Sequence, residues 1–147
     1  VASAGSFLDG GGSRPLQRAA IPLLAEDVVR KETLAINAAF REKRDAMIRR
    51  LERIGIRPDR APDGTFYVWG NLGSLPPTLS DGMAFFRAAL QKKVITVPGE
   101  FFDVNPGKRR SRIASRFRSY TRFSFGAPQP QLDEALDRIE RLVLAST

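Results

Sequence analysis

The stretch Tyr120-Thr121-Arg122-Phe123-Ser124-Phe125 decides how the rest of the chain is read. It alternates with the two-residue period of a strand. Thr121, Phe123 and Phe125 therefore share one face, and Tyr120, Arg122 and Ser124 the other. The phenylalanines mark the first as a core face, which leaves an arginine in mid-strand on the opposite side. One reading of Arg122 is a solvated side chain. The other is a ligand anchor, because a guanidinium presents a planar fork that grips a carboxylate through two parallel hydrogen bonds. A strand would hold that fork rigid. Alternation alone does not separate the two readings.

Beyond this strand, Leu132 to Leu144 reads as a closing helix, with Leu132, Leu136, Ile139 and Val143 on one face and Asp133-Glu134 in its first turn. Before it, residues 101–118 are irregular and basic. Val94 to Val97 reads as a buried strand stopped by Pro98-Gly99. A helix capped by Ser80 runs to about Lys92, with Met83, Phe86, Ala89 and Leu90 inward. Thr65 to Trp69 is a strand entered through the Pro62-Asp63-Gly64 turn. The longest element spans residues 26–54. Val29, Ile36, Phe40, Met47, Leu51 and Ile54 line one of its faces, acids open it, arginines close it, and Gly55 supplies a left-handed cap. At ~1.5 Å per residue it is a rod of roughly 43 Å, suited to bridging two lobes. The expected architecture is α+β: a long N-terminal bridging helix and further helices packed on a small, mainly antiparallel sheet.

Residues 1–22 carry Gly5, Gly10-Gly11-Gly12, Pro15 and Pro22, the spacing of a loop with short helical turns. Phe7, Leu8, Leu16, Ile21, Leu23 and Leu24 give this segment too much apolar surface for a free tail, so it is expected to pack against something. The 147 residues contain no cysteine and no histidine. That excludes disulfides, thiolate metal sites, a cysteine nucleophile and every Ser-His-Asp scheme; no metal site is expected. The formal charge of +8 favours an anionic partner without choosing one. No apolar run is long enough to span a bilayer and no secretory signal opens the chain, so no membrane partner and a cytoplasmic location are expected.

Four segments in order carry a resemblance: Gly64-Thr65-Phe66-Tyr67-Val68-Trp69, Val97-Pro98-Gly99-Glu100-Phe101-Phe102, Arg122-Phe123-Ser124-Phe125-Gly126 and Leu132-Asp133-Glu134-Ala135-Leu136. Together they resemble the C-terminal part of a class I/II, fold-type I, pyridoxal-phosphate-dependent aminotransferase. Gly5-Ser6-Phe7-Leu8-Asp9-Gly10 with Pro15-Leu16-Gln17 is similar to the stretch following the cofactor lysine in that family. The resemblance implies that residues 1–24 end the large cofactor-binding lobe, with the loop around Gly10 to Gln17 near the dimer interface, and that residues 25–147 form the small C-terminal lobe. It implies that Arg122 binds the α-carboxylate of an amino-acid or 2-oxo-acid substrate. It places the Val-Pro-Gly segment and the following Phe near the substrate entrance, and implies a homodimer when intact.

The family needs a lysine that carries pyridoxal phosphate and an aspartate facing the pyridine nitrogen. Lys31, Lys43, Lys92, Lys93 and Lys108 all lie outside the usual Ser-x-x-Lys context, and the aspartate motif is missing. The chain also starts at Val1 rather than Met. The expectation is a C-terminal fragment of a chain more than twice as long, inactive alone, with no catalytic or cofactor-binding residue of its own and no cofactor covalently attached.

A nucleic-acid-binding module is the competing reading. Lys108, Arg109, Arg110, Arg112, Arg116 and Arg118 fall close to Phe117, Tyr120, Phe123 and Phe125, and basic residues among aromatics on a strand can bind single-stranded RNA. The run lacks the glycines of an RNA-recognition strand, and Phe123 and Phe125 belong to the core face. Gly10 to Arg14 lacks the ending of a phosphate-binding P-loop. Glu100 and Asp103, a possible carboxylate pair, read more simply as salt-bridged loop acids.

Overall fold

The computed structural model describes residues 12–104 and 109–146. It divides into two compact units, Val1–Ala39 and Phe40–Thr147. Gly5 to Gly11, with Phe7 and Leu8 among them, and Lys108 lie outside the described residues.

In the first unit, α1 (Arg14–Ala20) carries Pro15 in its first turn, where the missing N–H costs nothing, and runs into a 3₁₀ helix, Ile21–Leu24. Helix α2 (Glu26–Arg53) begins here and ends in the second unit. Leu16, Ile21, Leu23, Leu24, Val29, Leu34 and Ile36 are all exposed. Val29 and Ile36 belong to the apolar face anticipated for the long helix, but only its second half is covered: Met47 and Leu51 are buried, and Phe40, Ile48 and Ile54 pack against them.

Helix α2 stops where glycine allows it to. Gly55 sits at φ +84°, a left-handed conformation that side chains resist, and this lets the Ile56 amide reach back to the Leu51 carbonyl at 3.0 Å. The turn drops Ile56 into the core, where it is fully buried.

The sheet has three strands: β1 (Tyr67–Asn71), β2 (Val97–Pro98) and, between them, β3 (Tyr120–Ser124), all antiparallel. Val68, Thr121, Phe123 and Phe125 are buried on one face. Helix α3 (Gly82–Gln91), the second half of α2 and α4 (Gln129–Leu144) contribute to the same core through Phe85, Leu51, Leu136 and Ile139. The Phe85 ring meets Phe123 edge-on at 5.8 Å, and Phe40 meets Phe125 at 5.9 Å. Arg50 of α2 pairs with Asp137 and Glu140 of α4 and donates to the Asp133 carbonyl. Glu140 is held below its ordinary range, chiefly by its hydrogen bond from Arg50.

Several boundaries differ from those read in the sequence. Residues Thr65 and Phe66 precede β1, because Thr65 adopts φ +70° and cannot continue a strand. Asp81, not Ser80, caps α3, its carboxylate accepting from the amides of Met83 and Ala84. The inward residues of α3 are Phe85 and Ala89, whereas Leu90 is exposed; the helix starts one residue later than read, and its face is set by what Phe123 can reach. Only Val97 and Pro98 pair in β2, although Val94 and Thr96 are buried before it. Helix α4 opens at Gln129 with Pro130 in its first turn, so Asp133 lies one turn inside and reaches Arg50 instead.

Candidate functional site

The strand register builds the site. Arg122 lies opposite Trp69 of β1 and Val97 of β2, at the centre of the face turned away from the core. Tyr67, two residues before Trp69, shares that face by the strand period. Phe102 arrives on the 3₁₀ helix Gly99–Phe102, which follows β2 directly. That turn requires glycine: a Cβ on Gly99 would stand 2.4 Å from the Phe117 carbonyl oxygen and 2.8 Å from that of Tyr120.

Two aromatic faces converge on the guanidinium. Its central carbon is 5.3 Å from the centroid of Tyr67 and 5.3 Å from that of Phe102. Trp69 organises the remaining rings, meeting Phe102 edge-on at 5.3 Å and Phe117 at 5.5 Å and stacking on Tyr120 at 5.9 Å. Tyr120 in turn donates to Asp59 at 2.7 Å and accepts from the Asn71 amide. The bond to Asp59 is the main reason its phenol is raised above the ordinary value, so it stays a donor.

Arg122 is distinguished by what it lacks. Its Nε is buried without a hydrogen-bond partner, and among the described residues no acid pairs with its guanidinium. Other arginines are engaged: Arg118 with Asp81 at 2.8 Å, Arg110 with Asp103 at 2.8 Å, and Arg50 with the acids of α4. A buried donor left unmade costs about 1–3 kcal/mol. Two cation–π contacts at roughly 0.5–1 kcal/mol each offset much of this. The site is a guanidinium held by aromatic rings and paired with no acid among the described residues, a chemistry suited to an anion.

The basic run is partly neutralised. Arg110 and Arg118 carry the acids just named, and Arg116 lies over the Phe117 ring at 4.9 Å. Phe123 and Phe125 are core residues with no face for a base. Asp103 is sheltered and held below its ordinary range by Ser115 and Arg110, as expected of a salt-bridged loop acid. Among the described residues no group of three acids could hold a metal ion, and no helix is long and apolar enough to cross a membrane. Tyr67, Trp69 and Asp59 were not legible as site residues. For the first two the signal was present as shared parity on β1, but only the register shows that this parity faces Arg122.

No protein-family model matches the chain, and no curated protein matches it. Solved structures do. The fold is that of the C-terminal part of the fold-type I, pyridoxal-phosphate-dependent aminotransferases. N-Succinyldiaminopimelate aminotransferase from Mycobacterium tuberculosis is 25% identical over 95% of this chain, with a TM-score of 0.77. Another aminotransferase from that organism is 28% identical over 97%, with a TM-score of 0.67. A variant of Thermus thermophilus aspartate aminotransferase, 22% identical, shares the fold at a TM-score of 0.73 over 96% of the chain. The chain spans about a third of each of these structures: 33%, 34% and 34%.

Proposed function

We propose that this chain serves a pyridoxal-phosphate-dependent aminotransferase, acting in the cytoplasm on an amino acid and a 2-oxo acid, and that Arg122 is its anchor for the substrate α-carboxylate. The observation that carries the reading is Arg122 itself: fixed on the central strand, with a buried Nε that has no hydrogen-bond partner and, among the described residues, no acid paired with its guanidinium. A substrate carboxylate would accept charge-assisted hydrogen bonds from the guanidinium, which the Tyr67 and Phe102 rings flank.

Residues 1–24 are proposed to end a large lobe and residues 25–147 to form the small one. The exposed Leu16, Ile21, Leu23, Leu24, Val29 and Ile36 support this, since they need the surface of another lobe or of a dimer partner. Pyridoxal phosphate, when bound, supplies the electron sink for amino-group transfer. The described lysines do not fit the role of carrying it. Lys43 is engaged with the Ala127 carbonyl at 2.8 Å, and Lys31, Lys92 and Lys93 are exposed and remote in sequence from any Ser-x-x-Lys context. Since Lys108 too stands outside any Ser-x-x-Lys context in the sequence, the reading places the cofactor lysine in a part of the enzyme other than this chain, and the chain alone is proposed to be inactive.

The test is kinetic. In the enzyme that contains this chain, Arg122→Ala should lower kcat/KM for both amino acid and oxo acid by roughly 10- to 150-fold, the value of one or two charge-assisted hydrogen bonds. Cofactor absorbance should stay unchanged. Kinetics equal to wild type would sink the assignment. Salt-sensitive RNA binding by the chain would favour the nucleic-acid alternative instead.

A further inference from the structure

We infer that the cleft between the end of α3 and the second half of α4 is an anion site for a small polyphosphate, such as inorganic tripolyphosphate or a nucleoside triphosphate. Both helices pack on the core face of the sheet, whereas Arg122 belongs to the other face, so the inference is independent of the reading of Arg122.

The charges of α4 are sorted by face. Asp137 and Glu140 pair with Arg50 of α2. Arg138, Arg141 and Leu142 instead line a cleft of about 590 Å³ whose other wall is Gln91, Lys92 and Lys93. That is the size of a small-molecule site. The two walls are tied together. Lys93 adopts φ +60°, which turns the chain sharply after α3, and Arg138 donates to the carbonyls of Lys92 and Lys93 at 3.4 and 3.3 Å. Arg138 also pairs with Glu134, so its charge is answered. The charges of Lys92, Lys93 and Arg141 are not. All three side chains are exposed, and among the described residues none makes an ion pair and no acid lines the cleft.

Complementing helix ends accounts for only part of this charge. Both helices finish at the cleft, α4 through Ala145 and Ser146. Each C-terminal end carries about half a negative charge, so together they answer roughly one of the three cations. The remaining positive charge repels itself across the cleft, and a bound anion relieves that repulsion. A polyphosphate supplies several negative charges along one short row of acceptor oxygens, matching cations on both walls at once.

The test is isothermal titration calorimetry of the full chain with sodium tripolyphosphate. One saturable site is expected at low salt, weakened as salt is added. Lys92→Gln, Lys93→Asn and Arg141→Gln should each weaken binding by roughly 3- to 10-fold, and the triple variant by about 30-fold or more. Asparagine is chosen at position 93 because it tolerates a left-handed backbone. The three side chains are exposed, so far-ultraviolet circular dichroism should match wild type. Arg57→Gln removes an exposed cation that does not line the cleft and should leave binding unchanged. Adenosine triphosphate distinguishes the source of the phosphates. Affinity no tighter than that of tripolyphosphate makes the phosphate chain the whole ligand, and tighter binding adds the nucleoside; each supports the site. The inference is overturned if tripolyphosphate shows no saturable binding. It is equally overturned if Arg57→Gln weakens binding as much as the cleft variants do, since binding would then report net charge alone. Single-stranded RNA that binds where tripolyphosphate does not, and is lost in the triple variant, would make the cleft a nucleic-acid surface and also overturn it.

Discussion

Two arginines of this chain should respond differently to the same substitution. Arg50→Met removes a guanidinium whose side chain is 16% exposed and which holds Asp137, Glu140 and the Asp133 carbonyl. The acids left behind repel one another at the α2–α4 contact. Charge-assisted hydrogen bonds of about 1.5–3 kcal/mol, discounted because the acids are partly solvated, give an expected loss of roughly 1–3 kcal/mol. Arg122→Met is different. It forfeits two cation–π contacts, about 1–2 kcal/mol together. It also removes a buried Nε with no partner, relieving about 1–3 kcal/mol. The terms nearly cancel, so the variant should match wild type within about 1 kcal/mol. Urea unfolding followed by far-ultraviolet circular dichroism measures both, and the slope should be unchanged in each. Loss of more than about 2 kcal/mol in Arg122→Met would refute the reasoning, because it would make Arg122 a structural residue rather than one kept for a ligand.

Three further outcomes follow from the geometry. Gly99→Ala puts a methyl 2.4 Å from the Phe117 carbonyl oxygen, so it should cost about 1–3 kcal/mol, read as a lowered midpoint in the same unfolding assay. Gly55→Ala forces a side chain into φ +84° and should cost about 1 kcal/mol in the same unfolding assay. Glu140 has its folded pKa lowered, so its pairing with Arg50 contributes fully above the ordinary glutamate value of 4.5 and is lost as pH falls through the depressed folded value. Glu140→Gln should therefore flatten the acid limb of the stability curve and leave its shape near neutrality unchanged.

The sequence carried the parity of β3 in full. Thr121, Phe123 and Phe125 are buried and Arg122 faces away, because two phenylalanines in a period of two admit no other face for a core. It also carried the end of α2, since acid-first, base-last order and Gly55 are local signals. Less legible was anything set by a distant partner. The phase of α3 depends on Phe123 meeting Phe85 rather than Phe86, and Asp133 pairs with Arg50 of another helix rather than serving the first turn of its own. The site showed the same division. Arg122 was visible from alternation and from a family resemblance. The aromatic surroundings were not, because they need the β1–β3 register and the Gly99 turn, neither of which is encoded within four residues of Arg122.

The most direct test of Arg122 as a carboxylate anchor is a crystal structure of the enzyme containing this chain with a 2-oxo acid bound. The account predicts one carboxylate with both oxygens accepting from the Arg122 guanidinium, in its plane and beside Tyr67 and Phe102. A substrate carboxylate held by another cation, with Arg122 making no contact to it, would contradict the account.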